Sequence, residues 1–205
     1  LSRCSGLWVA LKIVTNVADG AGTAEVSPDR IKPELPTLEI NGRPFEHRPN
    51  PRAMATPAIV EVERELFYAR LELARLYARA NRLNRVVLPT RPAWLGIAAA
   101  GKTFYDVRQA LAELGLDDRT LERLGVRLFK INQVFPLEPW TVREFAEGLE
   151  EILVVEEKRP FIESAIRDIL YSMPDRPVVV GKFDEAGQPL VPGYGELDAD
   201  TIAPA

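Results

Sequence analysis

A single cysteine and a single histidine are all that the 205 residues offer of the two side chains most used to hold metals. Cys4 alone excludes a disulfide within the chain. It also excludes an iron–sulfur cluster held by this chain by itself, since such clusters take about four thiolates. A reduced cytosolic thiol is the expected state. His47 stands among Arg, Asn and Pro residues, with no partner at the spacing of a catalytic triad or a zinc site, and reads as a solvated loop residue. Positive charge is not in excess either. Lys and Arg number 26 against 30 Asp and Glu, a net charge of −4, which argues against a nucleic-acid partner held by a cationic surface. No apolar run approaches the ~20 residues of a membrane-spanning helix. Neither nucleic acid nor membrane is expected as a partner, and the expected location is cytoplasmic. The first residue is Leu1, with no basic leader ahead of the apolar residues, as expected of a piece cut from something longer.

What the chain does have is a rhythm. A short apolar run, a turn and an amphipathic helix recur through its last two thirds. Trp94 to Ala100 leads into Gly101-Lys102-Thr103, Arg127 to Ile131 into residues 132–139, and Ile152 to Val155 into Glu156-Glu157-Lys158-Arg159. Apolar runs alternating with helices imply an α/β fold of three layers, a mostly parallel sheet with helices on both faces. The pattern predicts strands near 94–99, 127–131, 151–155 and 177–181. Helices are predicted near 103–114, 117–124, 141–149 and 160–171, with Thr120 and Thr141 as starters and Gly115 and Gly125 as stops. Residues 86–88 are either a short strand or a lead-in.

The first 80 residues read differently. Residues 2–19 carry apolar side chains at helical spacing, Leu7, Leu11, Val14 and Ala18 among them, and predict a helix that needs cover on several sides. Exposed, that helix would favour self-association, so a homodimer is among the expected states. Seven of the 17 prolines fall between Pro28 and Pro57, which predicts an extended linker. Thr56 offers an N-cap and Pro57 a first helical position for a long helix to about Ala80. The expected domains are 1–27 as the last helix of a preceding domain, 28–56 as linker, 57–186 as the α/β domain, and 187–205 as a Gly/Pro-rich tail that drapes or frays.

Three motifs invite a chemical reading. Gly96-Ile97-Ala98-Ala99-Ala100-Gly101-Lys102-Thr103 satisfies the phosphate-loop pattern G-x-x-x-x-G-K-[ST]. That loop requires a strand before its first glycine and an open nest of amides between the two. Here only residues 92–95 precede Gly96, and Ile97 to Ala100 are small and apolar like a strand packed under helices, so the first glycine belongs inside the strand. Gly101, Lys102 and Thr103 still open a helix at a strand end, where free amides and one cation suit an anion, a phosphate or another domain's carboxylate. An ordinary tight turn with a solvated lysine accounts for them equally. Ala18-Asp19-Gly20 is close to the Gly-Asp-Gly of a thiamine-diphosphate magnesium site, yet it follows a helix and reads as a helix end. Glu156-Glu157-Lys158-Arg159 crowds four charges before a helix, either as a cap with a solvated edge or as an ion network that registers one domain against another.

Several blocks, in order, resemble the indolepyruvate ferredoxin oxidoreductase family, thiamine-diphosphate-dependent 2-oxoacid:ferredoxin oxidoreductases. They are Ser2 to Val9, Leu95-Gly96-Ile97 with Gly101 to Leu111, Pro136-Leu137-Glu138-Pro139, Glu150 to Arg159, and Val179-Val180-Gly181-Lys182. The resemblance implies that the chain spans the end of a pyrimidine-binding domain and the transketolase C-terminal-like domain after it. The implied reaction of the parent is oxidative decarboxylation of an aryl or related 2-oxoacid, with coenzyme A taking the acyl group and ferredoxin the electrons. Thiamine diphosphate, magnesium and iron–sulfur clusters are implied for the parent and none for this piece. The cofactor-activating glutamate, the diphosphate site and the cluster cysteines would lie elsewhere in the parent, so no catalytic residue and no metal ligand is assigned here. The candidates are Gly101, Lys102 and Thr103 for an anion or coenzyme A, and Glu138, Glu156, Glu157, Lys158 and Arg159 for an edge against other domains of the same polypeptide.

Overall fold

The run Leu95–Ala100 becomes the centre of a sheet because its small side chains can be covered on both faces. The computed structural model describes residues 1–49 and 57–205, and these divide into two compact units, Leu1–Arg82 and Leu83–Ala205. The Thr56 cap lies outside the described residues.

In the first unit, α1 (Ser2–Ser5) stops at Gly6, whose φ of 66° is the left-handed turn that ends a helix. The predicted helix over 2–19 is not formed: after Gly6 the chain is irregular until α2 (Thr15–Ala18). Trp8 is fully exposed and Leu11 82% exposed. A helix with an apolar surface nearly all round has no stable place without cover, and Trp8, Val9, Leu11 and Ile13 are all exposed here. The proline-rich stretch holds a hairpin, β1 (Glu39–Ile40) against β2 (Arg43–Pro44). Its Asn41-Gly42 turn has φ values of 52° and 72°, the signature of a tight hairpin turn. The long helix is present but broken in rhythm. α3 (Ala58–Glu65) passes through a π-helical turn, Leu66–Arg70, into α4 (Leu71–Ala80). The π turn re-aims the residues at its two ends. Arg70 donates to the Ser5 and Gly6 carbonyls at the end of α1 (3.1 and 2.6 Å), and Glu65 pairs with His47. His47, expected in solvent, is therefore mostly covered, with its ring against Gly6. Asn81 binds the strap at both its amide and carbonyl of Glu34, each at 2.8 Å.

The second unit is the three-layer sheet. In chain order it runs β3 (Arg85–Leu88), β4 (Leu95–Ala100), α5 (Gly101–Glu113), α6 (Asp118–Leu124), β5 (Val126–Ile131), α7 (Pro139–Ala146), β6 (Glu151–Val155), α8 (Ile162–Leu170), β7 (Val178–Val180) and α9 (Ala199–Ile202). The strand order is β3-β5-β4-β6-β7, with β3 antiparallel to β5 and every other pair parallel. All four predicted strands form, and 85–88 is a true edge strand. Alternation splits the core. Ile97, Ala99, Leu128 and Val155 face α5, α6 and α9, while Ala98, Phe129, Ile131 and Val154 face α7 and α8.

One local expectation is corrected, and for the tail one of two alternatives is chosen. α6 and α7 start on carboxylates, Asp117 and Glu138, and not on Thr120 and Thr141, whose backbone amides are instead the donors to those caps. A carboxylate at this position also meets the positive end of the helix. The tail does not fray. Val191, Leu197, Ala199 and Ile202 are buried in the core on the α5 side. Shortening Ile202 to Val should therefore cost about 0.5–1.5 kcal/mol, a core value, in urea denaturation of the chain. A change near zero would mean that the tail is dispensable.

Candidate functional site at the carboxyl edge

Parallel strands deliver their loops to one edge, and the connections diverge between β4 and β6. From β4 the chain winds through α5 and α6 to β5 on one side, then returns across to β6 and β7 on the other. In open α/β sheets the crevice at such a switch point is where ligands sit.

The β4 end carries the first candidates. The whole run from Gly96 to Ala100 lies in β4, paired with β5 throughout and with β6 as far as Ala99, so the nest that a phosphate loop needs is absent. Gly101, at φ 55°, turns directly into α5, which has no side-chain cap. Thr103 is buried. Lys102 Nζ is 2.9 Å from Asp106 Oδ2, 3.1 Å from the Leu197 carbonyl and 3.5 Å from Glu196 Oε1. Asp106, one helical turn on, holds the Lys102 ammonium above its ordinary pKa.

At the β5 end, Asn84 Oδ1 accepts from the amides of Asn132 and Gln133, both at 3.0 Å, and fixes the exit toward α7. Glu138 follows, fully buried. Its Oε2 accepts from the Trp140 and Thr141 amides (3.0 and 3.1 Å), while Oε1 is buried without a hydrogen-bond partner.

The β6 end is the densest. Glu156 is buried and spends both oxygens on α8, accepting from the Ile162 amide at 2.8 Å and the Glu163 amide at 3.0 Å. Glu157 is half-buried, whereas Lys158 and Arg159 are exposed. Lys158, at φ 60°, reaches the Gly195 carbonyl at 2.5 Å. Glu156 thus acts as an internal cap, and the surface charge of this loop rests with residues 157–159. Glu156→Ala should cost about 1–2 kcal/mol of stability, the value of a helix cap, and Glu157→Ala less than about 0.5 kcal/mol. Paired urea melts of the two variants measure the difference.

The β7 end contributes a residue that the pattern reading passed over. Lys182 is buried and donates from Nζ to the carbonyls of Glu156 and Pro192, the latter at 3.0 Å. Burial pushes its pKa down. Its amide donates to Glu163 Oε2 at 3.0 Å, and Glu163 also pairs with Arg167 at 2.8 Å. A lysine directly after an apolar strand, as in Val178 to Lys182, was the signal available for it.

Chemically, the edge is a set of paired groups, Glu138 Oε1 excepted. Its ammonium groups meet carbonyls and carboxylates, and of its three buried carboxylates Glu138 and Glu156 cap helices while Glu163 takes the Lys182 amide and Arg167. Among the described residues no three of His, Cys, Asp and Glu are grouped to hold a metal ion. An iron–sulfur cluster does not fit these side chains, which include no thiol, and no step of a reaction is placed on them.

The family model of the indolepyruvate oxidoreductase domain matches residues 85–205. The chain belongs to that family. The resemblance read from the sequence blocks is confirmed, and the matched span begins with β3 and takes in the whole sheet and α9. Among curated relatives, the indolepyruvate oxidoreductase subunit IorA of Methanothermobacter thermautotrophicus is 29% identical over 90% of this chain and 27% of its own length. The same subunit of Methanothermobacter marburgensis is 30% identical over 86% of this chain and 26% of its own. The chain thus spans about a quarter of the length of these relatives. Two solved structures align in part. A split-gene transketolase, in an inactive β4 tetramer, covers 58% of this chain and 38% of its own, with 20% identity and a TM-score of 0.41. The 2-oxoglutarate:ferredoxin oxidoreductase from Magnetococcus marinus covers 72% and 23%, with 17% identity and a TM-score of 0.46. The α/β class of this family member stands on its own five-stranded sheet. No helix among the described residues is long and apolar enough to cross a membrane.

Proposed function

We propose that this chain is the transketolase C-terminal-like module of a 2-oxoacid:ferredoxin oxidoreductase of the indolepyruvate type, and that it docks its carboxyl edge against the cofactor-bearing domains of the same polypeptide. The observation that carries the reading is the coincidence of the family match, residues 85–205, with the complete sheet unit. In this reading the parent decarboxylates the 2-oxoacid oxidatively to an acyl-CoA and passes electrons to ferredoxin. Thiamine diphosphate, magnesium and the clusters sit in the other domains. The module supplies no reacting group; it supports assembly and helps close the site against water. Glu157, Lys158 and Arg159 carry the docking charge, and Glu138 and Glu156 shape the loops that present it.

The test belongs in the full-length enzyme. Glu157→Ala with Arg159→Ala should weaken assembly on a sizing column and lower 2-oxoacid-dependent ferredoxin reduction about tenfold, the scale of a lost interfacial charge contact. Unchanged assembly and turnover would overturn the docking role. A second reading is favoured by the uncapped start of α5, which leaves Gly101, Lys102 and Thr103 to receive a phosphate group such as that of coenzyme A. Titration calorimetry of the chain with coenzyme A and with ATP separates the two readings, since heat with coenzyme A supports the second and silence with both removes it.

A further inference from the structure

Three lysines at the ends of three different strands reach the same short stretch of the tail. Lys182, after β7, donates to the Pro192 carbonyl, Lys158, after β6, to that of Gly195, and Lys102, after β4, to that of Leu197. The stretch is anchored at both ends, with Val191 2% and Leu197 1% exposed in the core, and the four residues between Pro192 and Leu197 are all exposed. Among the described residues, no amide from 193 to 197 donates a hydrogen bond, so the lysines are its polar hold on the domain. Two glycines, Gly193 and Gly195, the latter at φ 72°, supply backbone freedom between the anchors.

We propose that residues 192–196 form a lid over the carboxyl edge of the sheet, latched by Lys102 on Glu196, Lys158 on Gly195 and Lys182 on Pro192, which opens while the domain stays folded. A segment held by three side-chain bonds and no backbone ladder belongs to the low-stability end of a structure. Its buried anchors, Val191 and Leu197, lie on either side of the latch and keep the excursion local. Lifting it takes the Pro192 and Gly195 carbonyls from Lys182 and Lys158 and the Glu196 carboxylate from Lys102, and bares the ends of β4, β6 and β7, the face that any ligand or neighbouring domain must approach. The lid needs no assumption about the substrate of the parent enzyme.

Limited proteolysis of the whole chain tests it. Tyr194 is 81% exposed and sits mid-lid, yet a protease requires several residues around it in extended form. When opening is fast relative to cleavage, the chymotryptic rate at Tyr194 follows the open population. Lys158→Met removes one exposed donor and keeps the stem. It should raise that rate about tenfold, and Lys102→Met combined with it should raise the rate by about tenfold more, since each lost charge-assisted bond is worth about one decade. Cleavage after Tyr105 and Tyr171, on α5 and at the end of α8, is the internal control and should stay unchanged. A rate at Tyr194 within twofold of the parent in Lys158→Met would overturn the lid. An equal rise at all three tyrosines would overturn it too, because the domain would then be opening as a whole. Should the double variant fail to fold, the single exposed substitution decides.

Discussion

Arg127→Leu is expected to remove about 3–5 kcal/mol from the stability of the sheet unit, a large part of the 5–15 kcal/mol typical of a domain. Arg127 is the second residue of β5 and is buried at 4% exposure. Its guanidinium donates to the Thr90 carbonyl through Nε and Nη2 (3.2 and 3.1 Å), and through Nη1 to Phe145 O at 2.6 Å and Glu147 O at 2.9 Å. The last two are carbonyls at the end of α7, where a helix leaves acceptors unpaired and favours a cation. One side chain therefore satisfies the loop before β4 and the last turn of α7 together. Leucine can fill the volume but leaves buried carbonyls without donors, each costing about 1–3 kcal/mol. Arg127→Lys keeps the charge but not the planar fork, and should fall between the two. Urea denaturation followed by far-ultraviolet circular dichroism measures all three proteins. A leucine variant within about 0.5 kcal/mol of the parent would mean that these bonds contribute nothing net, against the expectation for buried pairs.

Such a clamp is hard to read from a sequence, and the reason is distance along the chain. Arg127 meets partners 18 to 37 residues away, and only the folded sheet brings them together. The strands were legible because their information is local: in Ile152 to Val155 and Leu128 to Ile131 the apolar run itself states that both faces are covered. The carboxyl edge was legible as a place for the same reason, since the alternation of strand and helix fixes which loops gather. Its wiring was not. A helix cap and an interdomain ion network both suit Glu156-Glu157-Lys158-Arg159, and only the fold shows that the first of the four turns inward to cap α8, six residues downstream. Lys102 looked like a free cation because Asp106 and the tail were not seen as its partners. The tail leaves draping and fraying both open because it is rich in Gly, Pro and Asp, while Val191, Leu197 and Ile202 among them decide where it goes. At the start of the chain the error ran the other way. Helical spacing over 2–19 was real, but spacing states only how a helix would present its apolar side chains. Without a surface to receive Trp8 and Leu11, and with Gly6 in the left-handed region, no helix connects α1 to α2.

Gly96→Val should prove comparably damaging, at about 3 kcal/mol or more, and Gly96→Ala should cost about 1–3 kcal/mol. A Cβ at this position would lie 2.5 Å from both Leu149 Cδ1 and Phe145 Cζ. Leu149 could swing away. Phe145 cannot easily do so, because it is fully buried and stacked on Phe129, with ring centroids 4.8 Å apart. Gly96 is therefore the point where the end of α7 and the turn after it press onto the middle strand, and its missing side chain is a packing requirement. The partner can be tested directly. Phe145→Leu alone leaves a void and destabilises, but in the Gly96→Ala background it relieves the overlap, so the double variant should be more stable than the sum of the singles by about 1 kcal/mol or more. The strand role that the pairing of β4 gives this glycine and the phosphate-loop role that the motif suggests make opposite demands on that cycle. A glycine at the mouth of an anion nest would lose ligand affinity on substitution and would be indifferent to an aromatic ring on α7. A glycine within a covered strand loses stability with or without phosphate present, and recovers part of it when the ring shrinks. Thermodynamic coupling between positions 96 and 145, measured with no ligand in solution, thus decides how the run up to Lys102 is used. Additive energies would remove the packing account of Gly96.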